Sequence, residues 1–320
     1  MYALKTQEVG ASVAASEDEP LVGSNRMEIL LFTLGTGETF GINVFKVREV
    51  SDTPFVTRAP NMPHGVEGLI SLRGNVIPVL SLASILGIGG AEDRTGTMMV
   101  TEYSKRTLGF LVESVDRIVR VDWERVRAAD NVSSGAQGFI TALTELPDGK
   151  LVSILDVESV LSHTFGDAVI GPINPIDGGH ELNVFFVDDS TVARRKITEV
   201  LDKLGVKHKY AVNGAEAWQR LEGMANQARQ TGRRVCDELD LILVDVEMPE
   251  MDGYVLTSKI KADARFKGVP VAMHSSLSSA ANRDMGKQVG VDAYVAKFDA
   301  DVLADTLRPL LMKNHRPNGQ

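Results

Sequence analysis

Residues Leu239–Asp245 read LDLILVD, in which the short apolar run Leu241–Val244 ends at a carboxylate. A continuous apolar strand of this length is typical of a parallel sheet, because both faces of such a sheet are covered. Similar runs recur through the C-terminal half of the chain and alternate with helical patterns. The predicted strands are Val184–Val187, Val206–Val212, Leu239–Val244, Val269–His274 and Val291–Ala296.

The helices between these strands are predicted from apolar residues that recur at spacings of three and four. They lie at Ala193–Leu204, Ala215–Ala228, Tyr254–Lys261, Ser278–Val289 and Asp301–Met312. Pro309 lies inside the last pattern and is expected to kink that helix or end it early. The alternation predicts a doubly wound α/β domain of the flavodoxin-like (βα)5 type, whose sites lie at the carboxyl ends of the strands.

Polar side chains follow the predicted strands at that edge of the sheet. Asp188 and Asp189 follow the first strand, Asp245 the third, Ser275 the fourth and Lys297 the fifth. Clustered carboxylates resist full ionisation unless a cation is present, and Mg²⁺ prefers such oxygen ligands. The pattern therefore predicts phosphoryl transfer, with Asp245 as nucleophile, Asp189 and Asp245 at Mg²⁺, and Lys297 and Ser275 on the phosphoryl oxygens.

Each of these side chains also has an ordinary structural explanation. Asp189 or Ser190 could cap the following helix, Asp245 could cap a loop, and Lys297 could be solvated. Two other classes fail on spacing. An EF-hand loop needs glycine at its sixth position, where DVEMPEMDG has Glu250. A haloacid-dehalogenase-type phosphatase needs Asp-x-Asp after its first strand, whereas this chain has Asp188 followed directly by Asp189.

The C-terminal half resembles the response-regulator receiver family over about Leu182–Met312. The resemblance is carried by VDDS, LILVDVEMPEMDGYVL, PVAMHSS and VDAYVAK, which are Val187–Ser190, Leu241–Leu256, Pro270–Ser276 and Val291–Lys297. It implies that Asp245 is the phospho-acceptor and that Lys297 binds the phosphoryl group. It also implies a Mg²⁺ site made of Asp188, Asp189, Asp245 and the backbone carbonyl of Glu247, and a switch pair made of Ser275 and Tyr294.

The chain departs from the receiver pattern at three places. Phe298 follows the lysine where most receivers have proline, and Leu277 stands where polar residues are common. The stretch Glu222–Asp237 lengthens the connection before the third strand, which implies a longer second helix or an insertion. The effect of Phe298 on the loop after Lys297 does not follow from the sequence.

The N-terminal half has a different pattern, with many short strands separated by glycine-rich turns, which predicts an all-β fold. Its segment Gly35–Gly41, GTGETFG, leads into an alternating strand and has the wrong glycine spacing for a dinucleotide loop. Short helices are predicted at Val44–Val50, Ser81–Leu86, Val112–Asp116 and Asp156–Ser162. No catalytic constellation is visible in this half, so a binding module is the default interpretation.

This half resembles the CheW-like chemotaxis adaptor domain over about Arg26–Leu161. The matching segments are FGINVFKVREV, GLISLRGNVIPVLSL and LGFLVESVDRIVRV, which are Phe40–Val50, Gly68–Leu82 and Leu108–Val121. The resemblance implies a pair of small five-stranded β-barrels that bind the chemotaxis histidine kinase and the cytoplasmic tip of chemoreceptors. Arg73 and Gly74 are then candidate partner-binding residues at a rigid turn, although a solvated turn arginine is equally consistent with the sequence.

The expected organisation is a disordered tail (1–25), a CheW-like domain (26–165), a linker (166–180), a receiver domain (181–313) and a short tail (314–320). This is the architecture of the CheV class of chemotaxis coupling proteins. It implies an adaptor that joins methyl-accepting chemoreceptors to a CheA-like histidine kinase and is regulated by phosphorylation of Asp245. The alternative is a phosphate sink that drains phosphoryl groups from the kinase.

The composition predicts a soluble protein inside the cell. The net charge of -9 disfavours nucleic acid as a partner, and the single cysteine fits a reducing compartment. No uncharged apolar stretch is long enough to span a bilayer. The expectation is therefore a cytoplasmic protein at chemoreceptor arrays, without direct membrane insertion and with no enzymatic activity beyond its own phosphorylation and dephosphorylation.

Overall fold

The computed structural model describes residues 26–88, 96–103, 106–128, 138–167, 169–176, 181–275, 280–297 and 299–313. These residues divide into two compact units. The N-terminal unit comprises the described residues from 26 to 167, and the C-terminal unit comprises those from 169 to 313. Among the helices that these residues form, none has the length and apolar character needed to cross a membrane.

The N-terminal unit is built mainly from antiparallel strands in two sheets. Its strands are β1 Arg26–Thr33, β2 Thr39–Asn43, β3 Val47–Asp52, β4 Val66–Leu72, β5 Asn75–Ser81, β6 Thr97–Tyr103, β7 Arg106–Val112, β8 Ser114–Asp122, β9 Val126–Ala128, β10 Ile140–Glu145 and β11 Leu151–Leu155. Its α-helices are α1 Leu82–Ile85 and α2 Val157–Phe165, with 3-10 helices at Val44–Lys46 and Trp123–Arg125.

One sheet has six strands in the order β8-β1-β2-β11-β10-β9, and the other has five in the order β3-β6-β7-β5-β4. Edge strands of the six-stranded sheet contribute Val121 and Val126 to a single core, so the sheet curls around its own apolar face. The predicted all-β character is confirmed. The expectation of five strands in each half is wrong for this sheet, since the short strand β9 adds a sixth.

Two predicted helices of this unit are replaced by strand. Of the predicted helix Val44–Val50, only Val44–Lys46 is helical, as a 3-10 turn, and β3 begins at Val47. In place of the predicted helix Val112–Asp116, β7 continues to Val112 and β8 begins at Ser114. The Glu113 backbone N–H donates to the Thr33 carbonyl at 2.9 Å. Pairing with β1 therefore uses the backbone groups that a helix at this point would need.

The C-terminal unit is a five-stranded parallel sheet in the order β13-β12-β14-β15-β16. Its strands are β12 Asn183–Val187, β13 Lys207–Ala211, β14 Leu241–Asp245, β15 Val271–Ser275 and β16 Ala293–Ala296. Its α-helices are α3 Thr191–Leu204, α4 Gly214–Gln230, α5 Gly253–Ala262, α6 Ala280–Gln288 and α7 Ala300–Lys313. The predicted doubly wound fold is confirmed, and β12 and β14 are neighbours at its centre.

Two uncertain features of this unit are resolved by the structure. The extra sequence before the third strand lengthens α4, which runs to Gln230 and is followed by a 3-10 helix at Val235–Asp237. Pro309 does not end α7, which continues to Lys313. Pro309 and Asp305, four residues earlier, are both exposed, so water can satisfy the carbonyl that the proline leaves without a donor.

The segment 169–176, part of the predicted linker, packs on the C-terminal unit. Ile170, Ile173 and Ile176 lie against the apolar cluster of α3 and α7. The spacing of three matches the repeat of a polyproline II helix, which places such residues on one side. Lys203 Nζ donates to the Ile170 carbonyl at 2.6 Å, and Arg308 Nη1 donates to the Pro175 carbonyl at 3.2 Å. Apolar contacts and backbone hydrogen bonds therefore fix this segment to the C-terminal unit.

Candidate functional site

The carboxyl edge of the parallel sheet carries a buried cluster of two carboxylates and one ammonium. Asp188 follows β12, Asp245 ends the neighbouring strand β14, and Lys297 follows β16. Lys297 Nζ lies 2.8 Å from Asp245 Oδ2 and 2.9 Å from Asp188 Oδ2. The side chains of all three residues are no more than 2% exposed. The fold thus brings together three of the residues that the sequence predicts at these strand ends.

The charge balance of this cluster favours the ionised form of Asp188. Burial of Asp188 raises its pKa, but the ammonium of Lys297 and the imidazole of His274 outweigh this, so that the pKa falls to about 2. Asp188 Oδ1 also accepts a hydrogen bond from the Ser190 N–H at 2.9 Å. The site consequently keeps a fixed negative charge in its buried interior.

Asp245 is held by its own backbone and by a close approach of α5. Its Oδ1 accepts from the Val246 N–H at 2.7 Å, and its Oδ2 faces Lys297. At Gly253, the first residue of α5, an added Cβ would lie 2.0 Å from the Asp245 carbonyl oxygen. Asp252 caps the same helix, and burial raises its pKa to about 6. The glycine is required because the helix begins directly against the strand end.

The loop that carries Asp188 and Asp189 is held by Arg194 on α3. Its Nη1 donates to the carbonyls of Asp188 at 2.9 Å and Asp189 at 2.8 Å. The guanidinium carbon also lies 5.7 Å from the centre of the Tyr210 ring. Sequence reasoning did not single out Arg194, because its contacts are to backbone carbonyls that only the folded loop presents.

The residues at this edge fit a Mg²⁺ ion. Asp188 and Asp245 share the ammonium of Lys297, and the half-buried Asp189 is the next residue of the same loop. Surplus negative charge and oxygen donors are what Mg²⁺ requires from a protein site. Asp189 and Asp245 would hold the ion, as the sequence predicts. The Glu247 carbonyl lies two residues beyond Asp245 in the same loop.

His274 is a buried neighbour of the acidic cluster that the sequence analysis did not select. Its Nδ1 lies 3.5 Å from Asp188 Oδ2. Single donor atoms of Asp188, Asp245 and His274 all lie within 4.8 Å of one another, whereas Asp189 is outside this group. His274 also borders a cavity of about 190 Å³ that Ile170 lines as well. Its position on the fourth predicted strand, directly before Ser275, is the sequence feature that could have identified it.

The members of the predicted switch pair, Ser275 and Tyr294, lie on the neighbouring strands β15 and β16. A second tyrosine lies near this pair: Tyr254, at the start of α5, packs with Tyr294 against the apolar cluster of Val246 and Met273. The Tyr254 hydroxyl donates to the Asn282 carbonyl on α6 at 3.2 Å. Burial raises the pKa of Tyr254 well above its ordinary value, and the neighbouring Tyr294 adds to the effect. Sequence reasoning missed Tyr254, since a tyrosine at the start of a helix has no distinctive pattern.

Leu277 and Phe298, which depart from the receiver pattern, lie outside the residues that the structure describes.

In the N-terminal unit, Arg73 and Gly74 form the two-residue turn between β4 and β5. Both have positive φ, 50° and 83°, which is the combination that a tight type I′ hairpin requires. The Arg73 side chain is 63% exposed and forms an ion pair with Glu49 on β3, with 2.5 Å between Nη2 and Oε2. Val76, two residues after the turn, is also largely exposed. The turn thus presents a cation and an apolar side chain to solvent.

Comparison with known proteins divides the chain in the same way. Residues 28–165 match the family model of the CheW-like domain, and residues 184–308 match that of the response regulator receiver domain. Chemotaxis protein CheV3 of Helicobacter pylori is 32% identical over 86% of this chain and 89% of its own length. Chemotaxis protein CheV1 of the same organism is 26% identical over 86% and 90%. The crystal structure of the scaffolding protein TtCheW from Thermoanaerobacter tengcongensis has a TM-score of 0.41 at 25% identity, covering 45% of this chain and 97% of that one.

Proposed function

The chain belongs to the CheV family of chemotaxis proteins, and from this premise we propose that it is an adaptor whose coupling activity is regulated by phosphorylation of Asp245. Its CheW-like domain would bind a CheA-like histidine kinase and methyl-accepting chemoreceptors. Its receiver domain would accept a phosphoryl group from the kinase. We expect the protein to act in the cytoplasm, at chemoreceptor arrays.

The observation that carries this proposal is the position of Lys297 between two buried carboxylates. The Lys297 ammonium lies 2.8 Å from Asp245 and 2.9 Å from Asp188. Burying these charges costs free energy of desolvation, and a function of the charged cluster accounts for that cost. The cluster lies at the carboxyl edge of a doubly wound sheet, where such folds bind their ligands. A structural role alone would not require two carboxylates around one cation at this edge.

In the proposed reaction, an Asp245 carboxylate oxygen attacks the phosphorus of a phosphohistidine on the kinase. The new oxygen–phosphorus bond forms as the phosphorus–nitrogen bond breaks, and the leaving imidazole takes a proton from solvent. Lys297 would turn its ammonium to a phosphoryl oxygen, and Ser275 would donate a hydrogen bond to another. A bound Mg²⁺ supplies electrostatic stabilisation of the charge on the transferring group.

The direct test is labelling of the protein by acetyl phosphate in the presence of Mg²⁺. Asp245→Ala should abolish formation of the base-labile acyl phosphate, and chelation of Mg²⁺ should do the same to the wild type. Asp284→Asn is a matched control, because Asp284 is 64% exposed on α6 of the same domain. Undiminished labelling of Asp245→Ala would contradict the assignment of the phospho-acceptor.

A phosphate sink would use the same residues but would need rapid loss of the phosphoryl group. The near-complete burial of Asp245 and Lys297 favours a regulated adaptor, because hydrolysis needs a water in line with the phosphorus. Single-turnover loss of label separates the two functions. A lifetime that is short compared with kinase turnover would favour the sink.

The partner surface is proposed to include the turn at Arg73 and Gly74. A non-glycine residue with positive φ is strained, and such strain persists where the surrounding structure holds it. Arginine is also enriched at the centres of interfaces. Arg73→Ala should weaken capture of the kinase or receptor while receiver labelling is unchanged. Arg120→Ala is the control, since Arg120 is 55% exposed and also pairs with a glutamate across strands.

A further inference from the structure

A histidine and the charged cluster share one face of the parallel sheet. Alternate residues of a strand point to the same face. The cluster packed against α3 and α7 includes Phe186, Leu243, Ala272 and Val295, and two residues beyond each of them come Asp188, Asp245, His274 and Lys297. His274 is also the register partner of Asp245 across β14 and β15. The sheet therefore brings a histidine that is only 3% exposed to the same place as the carboxylates.

Two nitrogen atoms face Oδ2 of Asp188 at different distances. Lys297 Nζ lies 2.9 Å from this oxygen, and His274 Nδ1 lies 3.5 Å from it. The other oxygen, Oδ1, accepts from the Ser190 N–H. A hydrogen bond from nitrogen to a carboxylate is usually about 2.7–2.9 Å long. Lys297 is thus at bonding distance, whereas His274 stands beside the same oxygen without a bond of full strength.

Binding of a phosphoryl group changes what Asp188 requires. In the proposed reaction, Lys297 turns its ammonium to a phosphoryl oxygen on Asp245, and Asp188 Oδ2 loses its 2.9 Å partner. Asp188 is 0% exposed, and a buried carboxylate that loses a donor raises the free energy of that state. A second donor to Asp188 would therefore favour the state with the phosphoryl group bound.

His274 is placed to supply that donor. A neutral imidazole that carries its proton on Nδ1 donates from this nitrogen. Shortening the 3.5 Å contact to hydrogen-bond length requires a movement of less than about 1 Å. The ring borders the cavity of about 190 Å³, so close packing does not hold it in place on that side.

We infer that His274 is a positioning residue of the phosphorylation site, which donates to Asp188 when Lys297 turns to the phosphoryl group and thereby releases the lysine for that role. This inference rests on the proposed function of the receiver. Before phosphorylation, Lys297 already serves Asp188, so His274 contributes little. Its contribution is made in the phosphorylated state, and it acts through Asp188 and Lys297 without touching the phosphoryl group.

The test uses the full-length protein with Mg²⁺ and beryllofluoride, a mimic of the phosphoryl group on aspartate. Fluorine NMR measures binding of the mimic, and isothermal titration measures binding of Mg²⁺ alone. His274→Leu removes the donor and should weaken binding of the mimic about tenfold, the effect of one hydrogen bond to a charged group. Binding of Mg²⁺ alone should stay unchanged. His274→Asn places an amide nitrogen where the imidazole has Nδ1, and it should restore most of the affinity for the mimic.

The matched control is His208→Leu. His208 lies on β13 of the same domain and also pairs with an aspartate, Asp202, at 3.0 Å. This substitution should change the binding of neither Mg²⁺ nor the mimic.

A purely structural role of His274 would give a different result. His274→Leu would then weaken binding of Mg²⁺ and of the mimic to the same extent, His274→Asn would not restore the difference, and that outcome overturns the inference. Nitrogen-15 NMR of the wild-type imidazole gives a second measurement if the variants fold poorly. The proton on Nδ1 should move downfield when the mimic binds, because its hydrogen bond shortens, and an unchanged resonance would contradict the inference.

The proposed function and this inference fail in distinguishable ways. A wild-type protein that binds no beryllofluoride contradicts the phosphorylation site itself. A wild-type protein that binds it, together with a His274→Leu variant of equal affinity, contradicts only the role of His274.

Discussion

Asp188 in the receiver domain and Asp156 in the CheW-like domain are both almost completely buried, at 0% and 5% exposure, yet their pKa values move in opposite directions. Asp188 has the Lys297 ammonium 2.9 Å away, and its pKa falls to about 2. Asp156 caps α2, accepts hydrogen bonds from Ser159, and its pKa rises to about 6 because burial dominates. Burial alone therefore does not identify a functional carboxylate.

The difference between the two sites lies in the compensating cation. In the CheW-like domain, a second buried carboxylate, Glu158, raises the pKa of Asp156 further, and Lys46 lowers it only weakly. In the receiver, Lys297 holds Asp188 in its charged form and also lies 2.8 Å from Asp245. A charged cluster maintained in a buried position is suited to binding a cation and a phosphoryl group. Asp156 instead serves as a helix cap, where a carboxyl oxygen can accept the Ser159 N–H in either protonation state.

The largest expected effect is that of removing the cation. Lys297→Met should lower the free energy of unfolding of the receiver by about 3 kcal/mol at neutral pH, because it leaves two buried carboxylates without their partner. Added Mg²⁺ should restore part of this loss by replacing the missing charge. Denaturant unfolding in a Trp123→Phe background would follow the receiver alone, since the chain has two tryptophans and Trp218 lies on α4.

The matched control is Lys287→Met on α6, where the lysine is 75% exposed and pairs with Asp284. It should change receiver stability by less than about 0.5 kcal/mol. Equal effects of the two substitutions would remove the distinction between the buried pair and the exposed one.

The next-largest effect concerns Asp156, the buried carboxylate of the CheW-like domain. Since the folded pKa of Asp156 exceeds its ordinary value of 3.8, the folded domain binds more protons between about pH 4 and 6. Its stability should fall as the pH rises through that window, by up to about 3 kcal/mol, and stay level above it. Asp156→Asn keeps an acceptor for the Ser159 N–H, so it should remove this dependence and stabilise the domain by about 2 kcal/mol at pH 7.5.

Unfolding of the CheW-like domain can be followed through Trp123 in a Trp218→Phe background. Asp116→Asn serves as the control, because Asp116 is 56% exposed on β8 of the same domain. A stability that rises with pH from 4 to 6, or an Asp156→Asn variant with an unchanged profile, would contradict the assigned pKa shift of Asp156.

A smaller effect is expected at Arg194, which holds the acidic loop from its backbone side. Arg194→Met should weaken Mg²⁺ binding about tenfold, or about 1.4 kcal/mol, because the carbonyls of Asp188 and Asp189 lose their common donor. Isothermal titration with Mg²⁺ measures this without any phosphorylation. Arg195→Met, on the exposed neighbouring arginine, is the control, and an equal loss there would show that only net charge matters.

The smallest effect on stability is expected at the exposed pair between Arg73 and Glu49. Glu49→Gln should change the free energy of unfolding of the CheW-like domain by less than about 1 kcal/mol, because an exposed ion pair contributes little. Denaturant unfolding gives the value. A loss of several kcal/mol would mean that Arg73 supports the fold, and weaker partner binding by Arg73→Ala would then have a structural cause.

Sequence patterns predicted the receiver better than the CheW-like domain, for a physical reason. Parallel strands end on one edge, so Asp188, Asp245 and Lys297 could be placed together from strand ends alone. The N-terminal sheets depend on pairings between strands that are distant in the sequence, such as β1 with β8. At Val112–Asp116 this pairing replaces the helix that the local pattern favours, and the segment by itself does not reveal its partner strand. That is why the sequence predicted a helix at Val112–Asp116, where β7 ends and β8 begins.

Residues whose contribution depends on a contact across elements escaped prediction. Arg194 acts on carbonyls, His274 lies beside Asp188, and Tyr254 donates to a carbonyl of another helix. None of these contacts leaves a spacing pattern in the sequence. The isoleucines of segment 169–176 did leave one, at every third position, but glycine and proline around them favoured the interpretation as a linker.

The most direct test of the central claim is the dependence of coupling on the phospho-acceptor. Kinase activity would be measured in a reconstituted mixture of chemoreceptor, CheA-like kinase and this protein, with the protein first treated with acetyl phosphate and Mg²⁺ or left untreated. We expect treatment to change the kinase activity or affinity of the wild type and to leave Asp245→Ala, which still couples, without any response. Equal coupling by treated and untreated wild type, with Asp245 shown to be phosphorylated, would contradict regulation by the receiver and leave only the phosphate sink.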